Sequence, residues 1–164
     1  IGDSIVLVGK VVDNIAASEY LYSYRNVKHF PAPYFNLDEE YNLHQVIKEL
    51  IRNSIIKSAH DISDGGLFTT LFESAFPNKL GFEVNKPLDI RIDAFYFGEA
   101  QGRVVVSVNK DKLEALKQIC QKLNIPYLIL GKVIEKSIII DEKEYGTIDK
   151  WLHIYNSTFN KYLD

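Results

Sequence analysis

Short apolar runs alternate with amphipathic stretches along the whole of this 164-residue chain. Continuous β-branched and aliphatic runs are typical of strands, and apolar residues at helical spacing are typical of helices that pack on a sheet. The alternation therefore predicts one layered domain, of the α+β or α/β class, over residues 1–164. Strands are predicted at 4–12, within 55–62, and at 81–84, 103–108, 127–133 and 137–140.

The best-defined predicted helix begins after Asn36. An asparagine can cap the first turn of a helix, and Glu39 stands three residues further on, as in a capping box. Further helices are predicted over 67–76, over 110–123 and from 147 onwards. The predicted buried face of the first helix consists of Leu43, Val46, Ile47, Leu50 and Ile51.

The charge pattern argues against two classes of partner. The chain has a formal net charge of -3. Its lysines and arginines form no cluster of the kind that binds nucleic acid or an anionic membrane surface. No apolar run approaches the roughly 20 residues of a membrane span. We therefore predict no nucleic-acid partner and no membrane partner.

The single cysteine, Cys120, permits no disulfide within the chain, which favours a reducing, cytoplasmic compartment. Its apolar neighbours at helical spacing indicate a structural thiol. The chain contains no methionine and begins with Ile1, just before an apolar run. We expect from this that it is one domain of a larger multidomain protein.

The segment Ser58–Leu67 contains the first candidate site. It reads Ser-Ala-His-Asp-Ile-Ser-Asp-Gly-Gly-Leu, so a strand leads through the Gly65-Gly66 turn into a helix. The free N–H groups and the positive dipole at the start of that helix favour a phosphate or nucleotide. Asp61 is a candidate Mg²⁺ ligand, and the Ser63 hydroxyl is a candidate phosphate donor. An ordinary capped junction uses the same residue types, so both interpretations stay open.

The second candidate lies just before the valine-rich strand. Glu99, Gln101 and Arg103 alternate along the chain, and in an extended segment their side chains would point to one face. A carboxylate, an amide and a guanidinium that converge can bind a polar ligand. The alternative is an Arg–Glu pair at a strand entrance, which contributes little when it is exposed. The chain has no zinc-type ligand spacing, P-loop or dinucleotide fingerprint.

Together the two segments resemble the C-terminal domain of the AIR synthetase superfamily. The turn within Ser58–Leu67, and Phe97–Arg103 with its valine-rich strand, are similar to motifs of the phosphoribosylformylglycinamidine synthase family, in the second of its two such domains. Ser18–Leu21 and Gly131–Val133 also fit that pattern. The resemblance runs from about Gly2 to Trp151 and implies a mixed β-sheet packed with helices.

The resemblance also implies a function. The family makes formylglycinamidine ribonucleotide from formylglycinamide ribonucleotide, ATP and glutamine-derived ammonia, in de novo purine biosynthesis. By this resemblance Asp61 binds Mg²⁺ and the Ser63–Gly66 turn contacts the phosphate of ATP or ADP, and no residue of the chain is catalytic. The implied partners are the other AIR-synthetase-like domains of the same polypeptide and a glutaminase domain or subunit, without which this domain is inactive.

The sequence departs from the family pattern at two places. Asn14–Ala17 stands where relatives often have paired glycines, and Ala100 and Gly102 stand where serine is frequent. The second departure removes two possible hydroxyl donors from the substrate-binding site that the resemblance implies, which consists of Glu99, Gln101 and Arg103.

Two other interpretations stay open. AIR synthetase, selenophosphate synthetase and thiamine-monophosphate kinase have related C-terminal domains, although the turn motif favours the synthase family named above. The ten tyrosines and nine phenylalanines also suit a non-catalytic assembly module that packs against a related domain.

Overall fold

A computed structural model of the chain describes residues 1–87 and 89–160, without the side chains of the last two. The strands are β1 Ser4–Gly9, β2 Ile56–Asp61, β3 Leu80–Val84, β4 Arg103–Val108, β5 Tyr127–Glu135, β6 Ser137–Ile140 and β7 Lys143–Thr147. The helices are α1 Leu37–Arg52, α2 Gly66–Ala75, α3 Ile92–Phe97, α4 Leu113–Lys122 and α5 Ile148–Asn160, and Tyr20–Tyr24 forms one π-helical turn.

The seven strands form one mixed sheet in the order β2-β4-β1-β5-β3-β6-β7. Its neighbouring strands are antiparallel except for β3 and β6, which are parallel. Strand β1 lies between β4 and β5, and every one of its residues is buried, as its continuous apolar run predicts. The predicted class, a mixed sheet packed with helices, is confirmed.

Helices cover both faces of this sheet. The aliphatic face carries α1 and α4, which pack their leucines against Val6, Val8 and Val106. The aromatic face carries α2, α3 and α5, which pack against Ile5 and Leu7. Successive residues of β1 therefore serve opposite faces, because strand side chains alternate.

Helix α1 confirms most of its prediction. The Asn36 side chain accepts hydrogen bonds from the backbone N–H groups of Asp38 and Glu39, at 3.0 and 3.1 Å. In a capping box the Glu39 side chain would turn back to the backbone of Asn36. Here its carboxylate instead accepts a hydrogen bond from Nζ of Lys10, at 3.3 Å. The prediction that Ile51 belongs to the buried face is wrong. Ile51 is 55% exposed, because it lies about 100° around the helix from buried Leu50.

Strand β7 was not predicted, because Lys143–Thr147 is mostly polar and lies at the edge of the sheet. Charged residues are common on edge strands, where they discourage pairing with other chains. Cys120 is fully buried, and this burial raises the pKa of its thiol to about 11, which confirms a structural role. Among the helices that the structure describes, none is long and apolar enough to cross a membrane.

Candidate functional site

The two predicted motifs lie side by side at one end of the sheet. Strand β2 pairs with β4 so that Asp61 is opposite Val104. Just beyond this pair, the backbone N–H of Ile62 donates a hydrogen bond to the carbonyl of Arg103, at 2.9 Å. Segments about forty residues apart in sequence therefore form one local structure.

The two glycines between β2 and α2 have left-handed backbone conformations, with φ of +81° at Gly65 and +69° at Gly66. Side chains other than glycine's rarely adopt these angles. A Cβ on Gly66 would also lie 2.8 Å from Cα of Phe97, at the end of α3. Backbone geometry and close helix packing therefore explain the glycine pair, so the pair alone is no evidence for a ligand.

Asp61 combines a fixed backbone with an exposed side chain, whose Oδ1 lies 3.8 Å from Nδ1 of His60. Its carbonyl lies 3.2 Å from the Thr70 hydroxyl and 2.8 Å from Nδ1 of His60. Its carboxylate, by contrast, is 77% exposed at the end of β2. Ser63 is exposed in the following turn, where its carbonyl accepts a hydrogen bond from Gly66 N–H at 3.0 Å. Both side chains are accessible to a ligand.

The fit of Mg²⁺ to this turn depends on what else supplies ligands. Within residues 1–87 and 89–160, no group of three or more His, Cys, Asp or Glu side chains could hold a metal ion. Mg²⁺ usually retains several waters and takes one or two carboxylates together with phosphate oxygens. The exposed Asp61 carboxylate fits an ion shared with a nucleotide, and does not form a protein-only metal cage.

A chain of polar contacts that the sequence did not predict lies next to Asp61. His60 Nε2 is 3.4 Å from Oε2 of Glu73, and the Tyr155 hydroxyl donates to Oε1 of Glu73 at 3.1 Å. The hydrogen bond to this carboxylate raises the pKa of Tyr155. These contacts join α5 to α2 and β2, and no local sequence pattern indicates them because the partners are far apart in the chain.

Glu99 points back to the glycine turn. One of its carboxylate oxygens, Oε1, accepts the backbone N–H of Gly65 and the backbone N–H of Glu19, both at 2.8 Å. The carboxylate thus links the turn before α2 to the segment that precedes Tyr20–Tyr24. The two motifs are therefore joined by a side chain, a contact that the sequence analysis did not predict.

Arg103 is 3% exposed, and its guanidinium binds backbone rather than a carboxylate. Nε donates to the Ala100 carbonyl at 2.9 Å, and Nη2 donates to the Gly98 carbonyl at 2.8 Å. Burial lowers the pKa of Arg103 to about 10.

The premise that Glu99, Gln101 and Arg103 lie in an extended segment is wrong, because the chain turns before β4 begins at Arg103. The buried guanidinium stabilises this turn through the two carbonyls of Ala100 and Gly98. Glu99 binds the glycine turn and Gln101 is exposed, so the three side chains have different surroundings.

A cleft of about 450 Å³ opens beside this loop. Gln101 and Gly102 line it together with Lys10, Glu39 and Asn124. The residues of the glycine turn are not among its lining. Of the predicted site residues, Gln101 alone borders the cleft, whereas Asp61 lies at the end of β2 and Ser63 in the segment that follows it.

Residues 1–142 match the family of AIR synthase related proteins, C-terminal domain. This match covers most of the chain, and the chain belongs to that family. The resemblance given by the two motifs is thereby confirmed at the level of the domain.

Relatives with high similarity are phosphoribosylformylglycinamidine synthase subunits PurL. The protein of Chlorobaculum tepidum is 36% identical over 99% of this chain, and that of Pelagibacter ubique is 34% identical over 99%. The matches occupy 23% and 22% of those proteins. The chain therefore spans about a quarter of the length of these relatives.

Solved structures share the fold. T. maritima PurL complexed with FGAR has a TM-score of 0.76 at 17% identity, over 91% of this chain and 27% of that one. The same protein complexed with ATP has a TM-score of 0.69 at 16% identity, over 90% and 25%. Thiamine-monophosphate kinase from Stenotrophomonas maltophilia K279a has a TM-score of 0.59 at 19% identity, over 87% and 51%. PurL and thiamine-monophosphate kinase are different enzymes that share this fold, so the fold alone does not identify the reaction.

Proposed function

We propose that this chain is the second AIR-synthetase-like C-terminal domain of a phosphoribosylformylglycinamidine synthase, and that it contributes a Mg-nucleotide site. The single observation that carries the site is the exposed Asp61 carboxylate, on a rigidly held backbone, beside the start of α2. The synthase assignment is supported by the similarity to PurL subunits along nearly the whole chain.

Asp61 is the proposed Mg²⁺ ligand, and the ion neutralises phosphate charge when it is bound. Ser63 donates its hydroxyl to a phosphate oxygen of ATP or ADP, and the Gly65-Gly66 turn allows the phosphate to approach the backbone. T. maritima PurL has been solved complexed with ATP, which supports a nucleotide as the ligand of this domain type.

The substrate-binding part of the proposal rests on the loop before β4. Gln101 borders the cleft and contacts the substrate through its amide. Glu99 and Arg103 contribute to substrate binding by holding the loop in shape, because their side chains bind backbone groups. T. maritima PurL has also been solved complexed with FGAR.

The complete enzyme is a glutamine-dependent, ATP-consuming ligase of purine biosynthesis in the cytoplasm. Its reaction requires the other AIR-synthetase-like domains of the same polypeptide, and a glutaminase domain or subunit that supplies ammonia. This chain corresponds to about a quarter of the length of the PurL relatives. The isolated chain is expected to be inactive.

A calorimetric titration with Mg-ADP tests the nucleotide site. The Asp61→Asn variant is expected to bind at least about tenfold more weakly, because a metal ligand is lost. Asp64→Asn is the matched control, since this exposed carboxylate lies in the turn just after Asp61. Equal binding by both variants and the parent would refute the role of Asp61.

The same titration in the longer protein covers the case in which a neighbouring domain completes the site. There, Asp61→Asn is expected to weaken nucleotide binding and Asp64→Asn is not. Formation of formylglycinamidine ribonucleotide by the isolated chain would contradict the proposed dependence on other domains.

A second candidate function is that of a non-catalytic assembly module. The observation that favours it is a group of large apolar side chains, between 49% and 73% exposed, on one stretch of chain. Apolar and aromatic surface of this kind is enriched at protein interfaces. Under this alternative, Asp61→Asn leaves the activity of the longer protein unchanged. The group consists of Tyr22, Tyr24, Tyr34, Phe35, Leu37 and Tyr41.

A further inference from the structure

The carboxylate of Glu99 lies where an anionic ligand of the glycine turn would also bind. It accepts the N–H of Gly65, the capping residue of α2, at 2.8 Å. The first N–H groups of a helix lack partners within the helix, and together with the dipole they attract anions. Part of this capacity is already used by a side chain of the same protein.

The same oxygen holds a second segment. Glu19 N–H donates to it at 2.8 Å, immediately before the π-helical turn Tyr20–Tyr24. Tyr20 in turn stacks on Phe97, with ring centroids 5.2 Å apart. Phe97 itself lies against the backbone of Gly66. Glu99, the glycine turn and the Tyr20–Tyr24 segment therefore form one connected unit.

We propose that Glu99 is the positioning residue of this unit and an internal competitor of phosphate: its carboxylate holds the N–H groups of Gly65 and Glu19, and a phosphate that binds the turn displaces it. This inference deepens the proposed nucleotide site and rests on that proposal. It differs from a purely structural role, because it predicts that removal of the carboxylate strengthens phosphate binding.

The physical reason is that two anions, the Glu99 carboxylate and a phosphate, compete for the same N–H donors. A carboxylate that accepts backbone N–H groups forms charge-assisted hydrogen bonds, and a phosphate needs the same donors. The two anions also repel each other at short distance. Displacement of Glu99 frees the N–H of Glu19, so phosphate binding also loosens the attachment of Tyr20–Tyr24.

The test compares Glu99→Ala and Glu99→Gln with the parent chain and with Glu114→Ala. The control removes an exposed carboxylate of α4, on the opposite face of the sheet. Inorganic phosphate without metal is titrated, and the amide resonance of Gly65 is followed by NMR. Both Glu99 variants are expected to bind phosphate roughly tenfold more tightly than the parent, since a competing charge is gone.

Hydrogen exchange tests the positioning role without any ligand. In Glu99→Ala, the amides of Gly65 and Glu19 are expected to lose protection together, by about tenfold or more. Glu99→Gln retains an oxygen acceptor, so it keeps much of this protection and remains interpretable if Glu99→Ala folds poorly. The control variant is expected to match the parent in both measurements.

The proposal is overturned if folded Glu99→Gln binds phosphate no more tightly than the parent, or shows no binding at all. It is also overturned if Gly65 and Glu19 keep their protection in folded Glu99→Ala. These readouts need neither Mg²⁺ nor Asp61. Failure of the nucleotide proposal, seen with Asp61→Asn and Mg-ADP, is therefore distinguishable from failure of this one.

Discussion

The two faces of the sheet are built in different ways. On the aliphatic face, α1 and α4 pack leucine, isoleucine and valine side chains over β1 and β4. On the aromatic face, α2, α3 and α5 pack phenylalanine, tyrosine and tryptophan rings, and backbones approach closely enough that Gly66 is needed. The glycine turn leads into α2 of the second face, whereas Asp61 is opposite Val104 of the first face and α1 residues line the cleft beside Gln101. The difference indicates that the aromatic face fixes the glycine turn by close backbone packing, whereas the aliphatic face relies on side-chain packing.

Close backbone packing is useful at a ligand site because it leaves little freedom to the turn that binds the ligand. Interiors are packed as densely as organic crystals, so a contact between α2 and α3 transmits small displacements. Side-chain packing on the aliphatic face tolerates change by rotamer adjustment. The comparison therefore predicts that substitutions on the aliphatic face change stability alone, whereas substitutions at the glycine turn change both stability and ligand binding.

The broadest expected effect, on both stability and ligand binding, belongs to Gly66→Ala. A left-handed conformation costs an alanine about 1–2 kcal/mol, and forcing a group into a packed contact costs about 1–3 kcal/mol more. The new Cβ would lie 2.8 Å from both Cα and the carbonyl carbon of Phe97. We expect a loss of about 3 kcal/mol in the free energy of unfolding, measured by urea denaturation, and weaker Mg-ADP binding by the folded fraction.

Gly2→Ala is the matched control for this substitution. Gly2 also has a positive φ, +82°, but a Cβ there would meet nothing within 4 Å. It therefore isolates the backbone cost of about 1–2 kcal/mol from the cost of the packed contact. If Gly66→Ala lowers the free energy of unfolding no more than Gly2→Ala does, then the close approach of α2 to α3 does not require a glycine at position 66.

Leu50→Ala tests the aliphatic face. Leu50 of α1 is fully buried against the sheet. Truncation of a buried leucine costs about 3 kcal/mol, because the surrounding residues only partly fill the cavity that is left. We expect this loss of unfolding free energy with no change in the nucleotide affinity of the folded protein. Ile51→Ala is the control, because exposed Ile51 should change stability by less than about 0.5 kcal/mol. Weaker nucleotide binding in folded Leu50→Ala would contradict the division between the faces.

The sequence predicted the aliphatic face better than the site, for a physical reason. Hydrophobic periodicity located α1, α4 and β4, because local spacing determines which side chains face the sheet. The turn at Gly65 and Gly66 was also predicted, since glycine pairs mark positive φ. These features depend on neighbouring residues in the chain.

The contacts of Glu99 and Arg103 could not be predicted in the same way. Glu99 binds the N–H of Gly65, 34 residues earlier, and Arg103 folds its guanidinium onto carbonyls of its own loop. Period-two spacing predicted instead that both side chains would share a face with Gln101. Irregular loops obey no period, and their shape follows from hydrogen bonds that appear only once distant segments have met.

A smaller effect, and one of opposite sign, is expected of Tyr96→Phe on the aromatic face. The Tyr96 ring is buried against Phe95, but in the described part of the chain its hydroxyl has no hydrogen-bond partner. Burial raises the pKa of this hydroxyl, since the charged form is poorly solvated there. A buried, unsatisfied donor destabilises the folded state, so its removal is expected to raise the free energy of unfolding by about 1 kcal/mol.

Tyr155→Phe is the opposite case on the same face, because the Tyr155 hydroxyl donates to Glu73 at 3.1 Å. Its loss is expected to lower the free energy of unfolding by about 0.5 kcal/mol, the lower end for a hydrogen bond that is mostly exposed. Thermal denaturation of the two variants beside the parent should therefore give shifts of opposite sign. A lower melting temperature for Tyr96→Phe would mean that the buried hydroxyl makes a contact that stabilises the aromatic face. Buried polar groups on this face would then stabilise the fold.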